Sequence, residues 1–400
     1  MKNKILGSAL MIAGTAIGAG MLAMPLTSAG IGFGATLALL IGLWLLLTYT
    51  GLLFMEVYQT APQKDVGVAS LAEQYFGIGG RILATVSLLI LLYALLVAYM
   101  TGGSSVISGL LPDSLGEHRS QIGVLIFTLF FGSFVAVGVK GVDSITRVLF
   151  IGKLIAFAFV LAMMLPKSQM TNLLALPKDN KLVLAAIPIF FTSFGFHVIM
   201  ASINTYLDAN MRKIRIAVLI GTAIPLAAYV LWQLTTHGVL SQTELGVILE
   251  KDPSLNGLIT ATKVITGSEF LGEAMRLFST LALITSFLGV ALGIYECVGD
   301  LLKRYNLPNN RWILTLLTFV PPLLASLGNP NSFLSALSYA GLIFAFYGLL
   351  LPIGLAWRAR KAHPNLPYRV AGGNIALLIA FIAGIIIIAI PFMDLPAVVG

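Results

Sequence analysis

Residues 13–20 read Ala13-Gly14-Thr15-Ala16-Ile17-Gly18-Ala19-Gly20, in the middle of an apolar run from Ile5 to about Ala29. In hydrocarbon a backbone must satisfy its own hydrogen bonds, so a helix broken at membrane depth survives only where it lines a cavity or meets a polar guest. A second run, from about Leu182 to Leu207, is interrupted by Thr192-Ser193-Phe194-Gly195-Phe196-His197. The two breaks sit in matching places in two halves of the chain, which is the sequence pointer to a transporter binding site. The pattern predicts a carrier of a small zwitterion.

The rest of the chain agrees with a membrane setting. Of its 400 residues 58% are hydrophobic and only 10% charged, with a mean hydropathy of +0.96. Soluble domains run at about 25% charged. Counted in lengths of roughly 20 residues, the sequence yields eleven candidate spans: 5–29, 34–56, 82–111, 121–139, 145–165, 182–207, 214–236, 275–302, 311–327, 333–357 and 373–393. None shows the alternation of an outer-membrane barrel strand. The predicted class is therefore all-α and integral to the membrane, as one transmembrane unit.

A net charge of +8 could suggest nucleic acid, but the placement of the charges gives orientation instead. With the N-terminus inside, sixteen lysines and arginines fall on inner connections, among them Lys2, Lys4 and Arg358, and seven on outer ones. That bias predicts a cytoplasmic N-terminus and, after eleven spans, a periplasmic C-terminus; no nucleic-acid partner is expected. Cys297 stands alone and cannot form an internal disulfide. A signal peptide ending near Thr27-Ser28-Ala29 is the competing reading of the first run, which is longer than the usual apolar core of roughly 7–15 residues.

Five spans followed by five more, each set opening on a broken one, divide the chain into 5–165 and 182–357, with 373–393 as an addition. An odd number of spans inverts the second half. The polar stretch 57–81 contains Ser70–Phe76, predicted as a short amphipathic helix on the inner surface. Residues 237–274 are expected to form short outer helices, placed to act as a lid.

Glycines at 14, 18 and 20 allow the first break to unwind, and the half-helix continuing from Met21 aims its positive end at the site, a seat for a carboxylate. The alternative is small-residue helix packing. At the second break, carbonyls around Phe191, Ser193, Phe194 and Gly195 suit an ammonium group, and the phenyl rings offer an apolar wall. Here the alternative is a packed aromatic helix with a satisfied His197; otherwise His197 is a substrate contact or proton carrier. Tyr93 and Tyr99 could flank a ring-bearing substrate or belong to the core.

Charges inside spans are costly and mark function. Lys153 lies midway in the fifth span, as a fixed or switchable positive charge or as half of a structural pair. Glu296 in the eighth is a candidate for proton coupling. Thr285 and Ser286 carry hydroxyls of the kind that coordinate sodium, or that simply pack. Glu56 is expected to serve at the inner interface, and Asp208 to cap a helix end near Arg212. Enzyme signatures such as HExxH, a Cys/His cluster or a phosphate-binding loop are absent, and no cofactor is expected.

Taken together, Gly14-Thr15-Ala16-Ile17-Gly18-Ala19-Gly20-Met21-Leu22-Ala23-Met24-Pro25, Phe191-Thr192-Ser193-Phe194-Gly195-Phe196-His197, Ser286-Phe287-Leu288-Gly289-Val290-Ala291-Leu292-Gly293 and Tyr339-Ala340-Gly341 resemble the motifs of bacterial hydroxy/aromatic amino acid permeases. The likeness covers nearly the whole chain. It departs after His197, where Val198-Ile199-Met200-Ala201-Ser202 replaces an expected glycine and proline. It implies a LeuT-type five-plus-five inverted repeat in the bacterial inner membrane, with discontinuous first and sixth helices. It also implies symport of an aromatic amino acid, tyrosine foremost, with a proton. By the same resemblance the amides of Gly18, Ala19 and Gly20 hold the substrate carboxylate, carbonyls near Phe191–Phe194 hold its ammonium, and Lys153 stands in for a sodium ion. The alternatives are a tryptophan or broader aromatic permease, sodium coupling, and, from another class, a polytopic sensor or membrane enzyme.

Overall fold

The computed structural model describes residues 3–64, 66–137 and 139–396; Lys2 lies outside them. Among these residues ten helices are long and apolar enough to cross a membrane, and a bent pair makes an eleventh. The pair is α1 (Lys4–Ala16) and α2 (Gly20–Ser28), set at 50° to each other. Then come α3 (Gly32–Tyr58), α4 (Val68–Ser108), α5 (Arg119–Val137) and α6 (Val139–Met164). A short turn α7 (Met170–Leu173) leads to α8 (Asn180–Ser193) and α9 (Met200–Tyr206), the two pieces of the sixth span. The second half continues with α10 (Met211–Val239), the short helices α11 (Gln242–Lys251) and α12 (Leu255–Thr266), α13 (Glu269–Arg304) and α14 (Arg311–Gly328). The tenth span is α15 (Phe333–Phe344) running through a π-helical turn into α16 (Leu351–Ala362), and the last is α17 (Gly373–Ala389).

The spans fall at the expected places, because runs this apolar can hide their peptide groups only as helix. The amphipathic segment before the third span is also present. It is continuous with α4 but set off by Gly77, whose φ of 67° and ψ of −162° a side chain would strain. Serines cap three consecutive helices: Ser241, Ser254 and Ser268 each accept from an amide in the first turn of α11, α12 and α13.

Packing separates two groups of helices. α1 and α3 lie on α10, and α2 and α3 lie on α8, forming a bundle around both breaks. α4, α5, α13 and α14 pack on one another, and α6 and α15 join this scaffold to the bundle. α12, in the segment expected as a lid, rests on α2 and α4.

Two charged residues differ from expectation. Glu56 is completely buried, with both carboxylate oxygens on Arg360 at 2.6 and 2.8 Å and the Val370 amide donating to it at 2.8 Å. It clamps α3 to α16 and the following loop as half of a buried ion pair. Asp208 accepts from Lys4 Nζ at 2.8 Å rather than capping a helix near Arg212. That bond holds its carboxyl below the usual carboxylate range.

Candidate functional site

A helix end leaves its last carbonyls and its first amides without partners. At the first break, Ile17 leaves the helix at φ −71° and ψ 87°. Its carbonyl accepts from Lys153 Nζ of α6 at 2.7 Å. The Ala16 carbonyl faces the Tyr229 hydroxyl of α10 at 2.6 Å, and the Ala19 amide donates to Ser286 Oγ of α13 at 3.0 Å. Among the described residues none accepts from the amides of Gly18 or Gly20.

The second break is a turn in which Phe194 N–H donates to the Phe191 carbonyl at 3.2 Å and Gly195 N–H to the Thr192 carbonyl at 3.0 Å. A 3-10 turn over His197–Ile199 then leads into α9. The Ser193 carbonyl at the end of α8 lies 2.7 Å from the same Tyr229 hydroxyl. One phenol proton thus serves a carbonyl from each broken helix. The two breaks touch: a Cβ on Gly20 would stand 2.7 Å from Ser193 Oγ, so only glycine fits there. The equivalent atom on Gly18 would stand 2.8 Å from Ser286 Oγ.

Between them lies a cavity of about 80 Å³. It is lined by Thr15, Gly18, Gly20, Ser193, Gly195 and Tyr99, all singled out from sequence, together with Thr192. Leu91, Leu95, Val290, Leu337 and Phe344 form its apolar wall. The opposed helix ends give it polarity: the N-terminus of α2 presents amides, and the C-termini of α1 and α8 present carbonyls. The space suffices for a few waters and must widen before a phenyl ring can enter.

Other expected residues stand behind this lining or away from it. Phe191 is fully buried and packs on Phe344 with ring centroids 4.9 Å apart. Phe194 meets the Tyr229 ring edge-on at 5.0 Å. His197 does not line the cavity: its Nε2 lies 2.9 Å from Thr50 Oγ1 on α3, and its ring packs on Phe54, Phe196 and Phe344. The 3-10 turn carries it to the α3 side of α9. Tyr93 also points elsewhere, its hydroxyl donating to the Leu317 carbonyl at 2.6 Å.

Of the expected coupling residues, Lys153 and Ser286 reach the first break directly. Lys153 is 2% exposed, its Nζ 4.5 Å from the centre of the Phe150 ring, and no carboxylate among the described residues pairs with it. Thr285 donates to the Leu281 and Ala282 carbonyls of its own helix at 2.9 and 3.1 Å. Glu296 is exposed on α13. It lies three turns, roughly 16 Å, along the helix from Thr285, too far to act on the break by contact.

Sequence reasoning missed Tyr229 and Trp232, whose indole N–H donates to the Met21 carbonyl at 3.1 Å. Both lie three residues apart in the apolar run of α10, and nothing local distinguishes such aromatics from core packing.

Residues 1–391 match the model of the tryptophan/tyrosine permease family. The tyrosine-specific transport system 2 of Haemophilus influenzae is 64% identical over 406 residues, covering 100% of both chains. System 1 of the same organism is 56% identical over 403 residues, again covering 100% of both. A crystal structure of the Eremococcus coleocola manganese transporter aligns with a TM-score of 0.62 at 14% identity, covering 98% of this chain and 88% of that one. The shared architecture is of the LeuT type, as the sequence led one to expect.

Proposed function

The chain belongs to the tryptophan/tyrosine permease family, and from that premise we propose that it imports L-tyrosine with a proton across the bacterial inner membrane. The observation that carries this reading is the pair of unclaimed amides at Gly18 and Gly20, set against carbonyls of Ala16 and Ser193 that share one hydroxyl proton. The substrate carboxylate takes the amides at the N-terminus of α2. Its ammonium, with three donors, supplies the proton that one of the two carbonyls lacks. The ring lies against Leu91, Leu95 and Phe344, after α4 and α15 move apart to enlarge the cavity.

Lys153 is the coupling residue in this scheme. Its ammonium on the Ile17 carbonyl stabilises the unwound first break, as a bound cation would. Loss of its proton weakens that hold, linking proton movement to the geometry of the site. The five-plus-five inverted repeat supplies alternating access: the bundle of α1–α3 and α8–α10 rocks against α4, α5, α13 and α14. For orientation, Lys4 meets Asp208, Arg215 stacks on Tyr368 at 4.6 Å, and Arg360 meets Glu56. These contacts gather basic residues on one face, which the positive-inside rule assigns to the cytoplasm.

Uptake of labelled tyrosine into vesicles of purified protein, with each gradient imposed separately, tests the reading. Accumulation under an inward proton gradient in sodium-free buffer is expected, with tyrosine the strongest of the three aromatic competitors. A sodium requirement overturns the coupling, and stronger competition by tryptophan replaces the substrate.

A further inference from the structure

Away from the breaks, α16 and α17 enclose a groove of about 350 Å³. Its walls include Ile353, Trp357, Leu377, Leu378 and Phe381, and Trp357, Leu378 and Phe381 are 44%, 59% and 45% exposed to the surroundings. The groove opens sideways on the span surface, where lipid is the solvent. At its basic end stand three cations with different partners. Arg360 is fully engaged by Glu56. Lys361 Nζ lies 3.7 Å from the centre of the Trp357 ring, and the Arg358 guanidinium lies 5.6 Å from it. Among the described residues no carboxylate pairs with either.

We propose that this groove seats one anionic phospholipid, its phosphate on Arg358 and Lys361 and one acyl chain along Leu378 and Phe381. Charge selects the occupant: two unpaired cations beside an interfacial tryptophan suit an anionic headgroup at the membrane boundary. A second copy of this chain, docked symmetrically on the same groove, would bring like cations face to face. The site is independent of the transported substrate, so its failure and that of the transport reading are separately visible.

The test is binding of phosphatidylglycerol and phosphatidylcholine of matched chains to the full-length protein in mild detergent, read by native mass spectrometry and thermal unfolding. Phosphatidylglycerol is expected to bind more tightly and to raise the unfolding temperature. Arg358→Gln/Lys361→Gln is expected to lose roughly 30-fold in phosphatidylglycerol affinity, about 1 kcal/mol per basic residue, with phosphatidylcholine unchanged. The control Lys303→Gln/Arg304→Gln, at the end of α13, keeps the preference, and Leu378→Trp, which fills the groove, weakens both lipids. Equal binding of the two lipids, a preference retained by the Arg358/Lys361 variant, or dimerisation through α17 overturns the proposal.

Discussion

At the first break, polar side chains from three other helices reach the interrupted backbone: Lys153 from α6, Ser286 from α13 and Tyr229 from α10. At the second, Tyr229 alone among the described residues does so, and the surroundings are phenyl rings, with Phe191 on Phe344 and Phe194 on Tyr229. The first break bends its span by 50°. A bend that frees backbone groups in hydrocarbon needs donors and acceptors from outside. The second break satisfies part of its own demand through the turn bonds at Phe194 and Gly195, leaving side-chain volume to shape the pocket. In the proposed scheme proton coupling and the carboxylate belong to the first break. The second offers a carbonyl to the ammonium and, through Phe191 packed on Phe344, backs the wall that receives the ring, with Tyr229 as the shared link.

Lys153→Met separates these roles most strongly. It keeps the bulk but leaves the buried Ile17 carbonyl without its donor, a cost of about 1–3 kcal/mol. Proton-driven accumulation should be lost while exchange of tyrosine across the membrane persists; retained accumulation would remove Lys153 from the coupling. Tyr229→Phe takes the donor from both breaks while preserving the ring on Phe194. Apparent tyrosine affinity should fall about tenfold, the equivalent of roughly 1.4 kcal/mol, with the driving ion unchanged. A loss confined to one gradient would mean that Tyr229 belongs to the first break alone.

Phe344→Leu tests the other side. It alters the wall beside Phe191 and should shift the preference among tyrosine, tryptophan and phenylalanine by about tenfold, a pocket-shape effect of roughly 1–3 kcal/mol. Proton coupling should be untouched. A coupling defect here would blur the division. Asp208→Asn should do least. Its carboxyl is held below the usual carboxylate range by Lys4, so the link is complete above that range and is lost only as pH falls through the lowered value. The variant should leave the pH profile of uptake near neutrality unchanged, as followed by initial rates.

Most of the fold was legible because a membrane allows few ways to hide a peptide group. The eleven runs and both breaks follow from hydropathy and from glycines such as Gly18 and Gly20, each pressed against a serine of another helix. What escaped depends on partners far along the chain. Glu56 reads as an interface residue until Arg360, 304 positions away, closes on it. His197 lies within the right motif, yet one 3-10 turn rotates it onto Thr50. Tyr229 carries no local mark; its role exists only because α10 passes between the ends of α1 and α8. Glu296 shows the converse, a charge within an apolar run that faces outward along α13.

A structure with L-tyrosine bound tests the central claim most directly. The account predicts the carboxylate within hydrogen-bonding distance of the Gly18 and Gly20 amides and the ammonium at the Ser193 carbonyl. Tyrosine bound away from residues 14–20 and 192–197, or both helices continuous around it, would contradict the account.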